Sequence, residues 1–192
     1  GTRWDRLPGN TAFPARKDVL VSTTEPCESN SAAMYVSVAG YVADGDTVPA
    51  TPAAAAALVP RMRPLFDRQG YLSSTSETLF DDYVSAGMGK TPMALVYEAQ
   101  FLARRIQGGP LPEGAVQLDL DPTVFSRHTL VPLSDNGRRV GELLASDPRL
   151  LDLAAEYGFR PQDPGRLGAV LSAHAMAPPA PLVNVIEPPR FE

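Results

Sequence analysis

The spacing of apolar and polar positions changes character along the chain. Residues 19–21, Val-Leu-Val, make a short apolar run with β-branched side chains, which predicts a buried strand. A polar elbow follows at 22–31, STTEPCESNS. Beyond it Ala32, Ala33, Met34, Val36, Val38, Ala39, Tyr41 and Val42 are apolar on nearly every side, the pattern of a buried helix. Ser29, Asn30 and Ser31 all suit the start of that helix, because a short side-chain oxygen accepts from the open N–H groups of a first turn. A hydroxyl-rich loop between a strand's carboxyl end and a helix's amino end is where open α/β sheets bind ligands. The stretch 19–41 is therefore the expected organiser of the chain.

Further elements follow the same logic. Thr51-Pro52 is a cap followed by Pro at the first helical position. Leu58, Met62, Leu65 and Phe66 continue that helix at helical spacing, and Pro60 and Pro64 predict a kink or split. Ser74 and Glu77 read as a capping box for a helix over 78–86 that Gly87 closes. Residues 93–97, MALVY, predict a second buried parallel strand leading into a helix from Glu98 that stops at Gly108-Gly109. Val116, Leu118 and Leu120 alternate with Gln117, Asp119 and Asp121, as in a strand with one wet face, and 129–133 reads as another short strand. Asp135 and Asp147-Pro148 open two more helices, and Gly158-Phe159 has the form of a Schellman ending. Strands alternating with helices predict an α/β fold: three layers, a mainly parallel sheet, helices on both faces. Residues 1–18 read as a connecting segment anchored by Trp4, 19–160 as the α/β body, and 161–192 as a Pro-rich tail. That tail holds seven prolines in 32 residues, and only 182–186 within it suits a strand.

Composition narrows the function. The chain has 192 residues, 44% hydrophobic and 20% charged, enough to bury a core. A formal net charge of −5 argues against nucleic acid, whose binding needs a basic face. Cys27 is the single cysteine, so no intrachain disulfide forms, and the compartment stays open on that ground. No apolar run is long enough to span a membrane, and the opening GTRWDRLPGN is not a signal segment; this start and the end at Glu192 read as internal to a longer protein.

Several motifs for chemistry fail. Gly87-Met88-Gly89-Lys90-Thr91 has the tail of a phosphate-binding loop, but Val84 stands where its first glycine belongs, and the apolar run follows the glycines instead of preceding them. There is no G-x-S-x-G elbow. His128 and His174 lack ligand spacing to each other or to Cys27, so neither a metal nor a cofactor is expected. Cys27 lies near a helix start, which favours a thiolate, but no histidine neighbours it.

Three segments together carry a resemblance: TTEPCESNSAAMY (23–35), GYLSSTSETLFDDYVSAGMGKTPMALVYEAQF (70–101), and the series from PTVFSRH to EYGFRP (122–161). In this order they resemble bacterial extracellular solute-binding proteins of the type II periplasmic-binding fold, in particular a subgroup some of whose members carry a von Willebrand factor A domain downstream. The resemblance implies the second lobe of such a protein plus its return segment and tail, without the first lobe's N-terminal strands. It implies capture of a small polar solute for transport or sensing, no catalysis, and a location outside the cell or anchored at the envelope as a lipoprotein. Partners implied are the solute and a membrane permease or downstream domain. The implied ligand residues are Thr24, Ser29, Asn30 and Ser31 at the helix start, and Tyr97, Glu98 and Gln100 after the second apolar run. Glu98 argues against a buried oxyanion, because like charges repel in a dry cleft. Exposed apolar surface where a first lobe belongs would drive self-association. The rival expectations are a non-catalytic interaction module on the same fold and, further off, an enzyme.

Overall fold

A computed structural model gives the structure of the chain and describes residues 2–179 and 181–187. The final part of the expected tail, 188–192, lies outside the described residues, as do Gly1 and Ala180. The chain divides into two compact units, Gly1–Val96 with Glu187–Glu192, and Tyr97–Ile186.

The expected three-layer α/β architecture does not form. The structure is mostly helical, 46% helix against 5% strand, and its one sheet among the described residues has two strands. The fold implied by the likeness to one lobe of a type II periplasmic-binding protein is overturned with it. The reason is local. An apolar run shows that a segment is buried, but a sheet also needs neighbouring strands in register. Ser22, the residue after 19–21, makes one parallel bridge to Ala94 of 93–97: Ser22 N–H donates to Met93 O and Leu95 N–H donates to Ser22 O, both at 2.9 Å. A separate parallel bridge joins Thr24 to Ser73, outside both runs, and no ladder develops between the runs. Over 116–120 the alternation is present, but Val116 and Leu118 are 69% and 78% exposed, so the apolar side faces no core.

In the first unit the connecting segment is ordered around Trp4. A 3-10 turn Trp4–Arg6 packs edge-on against Phe13, with ring centroids 5.4 Å apart. The Asn10 side-chain amide donates to the carbonyls of Trp4 and Phe13 at 2.7 and 2.8 Å. Helix α1, Asn30–Ala43, buries Ser31, Ala32, Val38 and Gly40 and leaves Val42 exposed, so it is one-sided where a wholly buried helix was expected. Helix α2, Pro52–Met62, starts on Thr51, whose hydroxyl accepts from Ala54 N–H. It runs through Pro60 and breaks at Arg63, before α3, Pro64–Asp67. Tyr35 of α1 meets Phe66 of α3 edge-on at 5.6 Å, and burial raises its phenol pKa. Helix α4, Ser76–Ala86, is capped by Thr75, which accepts from Thr78 N–H. The cap is one residue later than the Ser74–Glu77 box predicts. Gly87 ends the helix at φ +55°.

In the second unit, α5 is Glu98–Ile106, and β1, Thr123–Val124, pairs parallel with β2, Val185–Ile186. Helices α6, Asp135–Ser146, and α7, Pro148–Glu156, are capped by Ser134 and Asp147. Asp147 accepts from the side chain and amide of Arg149 and from the amide of Leu150, which holds its carboxyl below the ordinary carboxylate value, the Arg149 side chain contributing most. The α7 ending is the Schellman motif read from Gly158-Phe159: Gly158 N–H donates to Ala155 O and Phe159 N–H to Ala154 O. The segment read as the start of a Pro-rich tail forms α8, Pro164–Ala173, capped by Asp163. Leu167 and Leu171 of α8 are fully buried and build the core with Leu102, Ile106 and Ala155.

Candidate functional site

The elbow between residues 22 and 31 is tied by hydrogen bonds to other parts of the first unit. Thr23 and Thr24 are each 1% exposed. A buried hydroxyl needs a partner, since leaving one unmade costs about 1–3 kcal/mol. Thr23 N–H donates to Gln69 Oε1 at 2.7 Å, and the Gln69 amide nitrogen donates to Leu65 O and to the Thr23 hydroxyl. Glu25 N–H donates to Ser73 O, and the Glu25 carboxylate accepts from Cys27 N–H at 2.7 Å. The loop is thus held by the α3 end on one side and by residue 73 on the other.

From this frame three hydroxyls run to the start of α1. Thr24 Oγ1 and Ser31 Oγ are 2.7 Å apart, and Ser31 Oγ and Ser29 Oγ are 2.9 Å apart. Ser29 is the N-cap by backbone geometry, yet its side chain makes no bond to the first-turn amides. Ser31 is buried, Ser29 half-buried, and Asn30 exposed. Of the residues expected to meet a ligand here, buried Ser31 and Thr24 therefore set the arrangement, Ser29 lies at its half-buried end, and Asn30 is exposed. Cys27 is exposed on the turn before Ser29. Gln69 and Ser73 were missed as members of this network. Nothing in their sequence spacing to Thr23 or Glu25 marks them.

Tyr97, Glu98 and Gln100 fall in the second unit, and Thr24 and the serines in the first. Gln100 Oε1 accepts from Tyr97 N–H at 3.0 Å and so caps α5. Glu98 forms a two-point pair with Arg160, Nε to Oε2 at 2.6 Å and Nη2 to Oε1 at 2.7 Å. That carboxylate raises the Arg160 pKa, its hydrogen bonds acting more strongly than its charge. Gln117 donates to Asp119 at 2.7 Å and reaches Glu98 at 3.5 Å. Glu98 is thus charge-compensated within its own unit, which weakens the argument that its charge excludes an anion. His128 stacks edge-on against Phe159, centroids 5.2 Å apart, a packing contact at the α7 ending.

Among the described residues no group of three or more His, Cys, Asp or Glu side chains is arranged to hold a metal ion, and no helix is long and apolar enough to cross a membrane. Comparison with protein-family models, with curated proteins and with solved structures finds no match to this chain.

Proposed function

We propose that the chain is the ligand-binding part of an extracellular solute-binding protein, and that it takes a small polar solute at the hydroxyl chain of Thr24, Ser31 and Ser29 without chemistry on it. The observation that carries this reading is the Ser29 hydroxyl: it is directed to Ser31 and leaves the first-turn amides of α1 uncapped by its side chain. A helix start favours a solute oxygen by about 0.3–1 kcal/mol. Buried Thr24 and Ser31 fix the Ser29 hydroxyl, so its direction does not have to be ordered on binding. The neighbours of these hydroxyls are other hydroxyls, which supports binding over nucleophilic catalysis, where a base must sit beside the attacking oxygen. The resemblance of 23–35, 70–101 and 122–161 to extracellular solute-binding proteins supports the same function. Capture would then serve a permease or a sensing domain outside the cell or at its envelope.

The test is calorimetric titration with polyols, sugars, amino acids and inorganic anions in turn. One class should bind, and Ser29→Ala should weaken it about tenfold, the equivalent of one good hydrogen bond. Absence of binding by every class at millimolar concentration, or an unaltered affinity in Ser29→Ala, would refute the reading.

A second reading, a non-catalytic interaction module, draws on α6. That helix buries none of its residues, and its Val140, Leu143 and Leu144 are all about half exposed. Sedimentation showing self-association abolished by Leu143→Glu, with no solute binding, would favour it.

A further inference from the structure

In the second unit one face of α5 floors a crevice of about 160 Å³. Glu98, Phe101, Leu102 and Arg105 share that face, because residues three, four and seven apart stack above one another on a helix. Phe101 and Leu102 are buried, and with Leu171 of α8 and Met176 they give the crevice an apolar middle. Charge lies at its two ends. Glu98 and Arg105 are seven residues apart, about 10 Å along the axis. Beside Glu98, the Gln117 amide donates to Asp119 at 2.7 Å and reaches Glu98 at 3.5 Å, so both carboxylates stand at one amide, and all three residues line the crevice. Arg160 pairs with Glu98 and feels the charge of Asp119, and one cation against two carboxylates leaves this end negative. At the other end Arg105 carries a positive charge and makes no ion pair or side-chain hydrogen bond among the described residues. Its neighbour Arg104 has its side chain over Gly109 instead.

We propose that this crevice binds a linear ω-amino carboxylate, its ammonium on Asp119, its carboxylate on Arg105 and its methylene chain over Phe101, Leu102 and Leu171. A charge-assisted hydrogen bond takes up about 2.8 Å at each end, which leaves about 5 Å between the ligand's charges, the span of about four to six carbons. An α-amino acid carries both charges on one carbon and cannot reach both ends. A fatty acid or an alkylamine leaves one end unmatched. Asp119 and Arg105 are exposed, so each contact is weak, the affinity is millimolar, and the signature of the site is its need for both charges.

The probes are 5-aminopentanoate, pentanoate, pentylamine and glycine, each titrated into the whole chain and followed by amide NMR shifts. With 5-aminopentanoate the shifts should fall on Phe101, Leu102, Gln117 and Leu171, and it should bind about threefold or more tighter than pentanoate or pentylamine, with glycine weakest. Arg105→Gln should bring 5-aminopentanoate down to the level of pentylamine and spare pentylamine itself. Asp119→Asn should bring it down to the level of pentanoate and spare pentanoate. Both positions are exposed, so circular dichroism should show the fold intact. Equal affinity for 5-aminopentanoate and the two singly charged analogues, an unchanged preference in either variant, or no binding at tens of millimolar would each overturn the proposal. Shifts confined to the start of α1 would overturn it too, and would leave the serine site standing.

Discussion

Gly108 and Gly158 form a matched pair that separates backbone strain from packing. Each follows a helix's C-cap with a positive φ, +68° and +77°. Each sits in the same hydrogen-bonded ending: Gly108 N–H donates to Arg105 O and Gly109 N–H to Arg104 O, as Gly158 and Phe159 do to Ala155 and Ala154. The surroundings differ. A methyl added at Gly108 meets nothing within 4 Å, whereas at Gly158 it would lie 2.6 Å from Ala99 O and 2.9 Å from Ala99 Cα and Leu102 Cβ. Those atoms belong to α5 and cannot swing away like a side-chain tip. Gly108→Ala should therefore cost only the left-handed penalty, about 1–2 kcal/mol. Gly158→Ala adds overpacking of about 1–3 kcal/mol, for a total of about 2–5 kcal/mol. Against a usual stability of about 5–15 kcal/mol, the second change approaches unfolding and the first does not. Urea unfolding of both variants, followed by far-UV circular dichroism, measures the difference. Equal midpoints would show that α7 does not end against α5 as described.

Other perturbations test the account elsewhere. Leu171→Ala, at a fully buried position, should cost about 2–5 kcal/mol in urea unfolding, and Leu153→Ala, half exposed, far less; similar costs would remove α8 from the core. Thr75→Ala should lose about 1 kcal/mol of thermal stability as an N-cap, and Ser74→Ala close to nothing; the reverse order would restore the capping box read from sequence. Asp147 has a depressed folded-state pKa, so its contribution is complete above the unfolded value and is lost as pH falls through the folded one. Melting curves should therefore show the wild type losing its advantage over Asp147→Asn as pH drops from about 5 to about 2, and a constant gap would contradict the assignment.

The helices were legible because their ends are written in local chemistry. Thr51-Pro52, Asp147-Pro148, Gly87 and Gly158-Phe159 each satisfy or terminate backbone groups within a few residues, whatever the rest of the fold does. Strands were not legible in this way. Residues 19–21 and 93–97 are apolar enough for a sheet, yet whether a ladder forms depends on partners distant in sequence, and here the pairing is one bridge from Ser22, just past the first run, to Ala94. Helix α8 was readable and was obscured by composition: Asp163-Pro164 repeats the start signal of Asp147-Pro148, but the prolines around it weighed toward a linker. At the candidate site, Ser29, Asn30 and Ser31 are marked by cap chemistry, and Thr24 by the resemblance alone. The roles of Gln69, Ser73 and Arg160 are not marked, because each acts on a residue far away along the chain.

Whether a polar solute is held at the start of α1 is measured by mapping amide NMR shifts during titration with whichever solute class binds. The largest shifts should fall on Ser29, Asn30, Ser31 and Ala32, and Ser29→Ala should reduce them together with the affinity. Shifts confined to other residues, with those four amides unmoved at saturation, would contradict that placement.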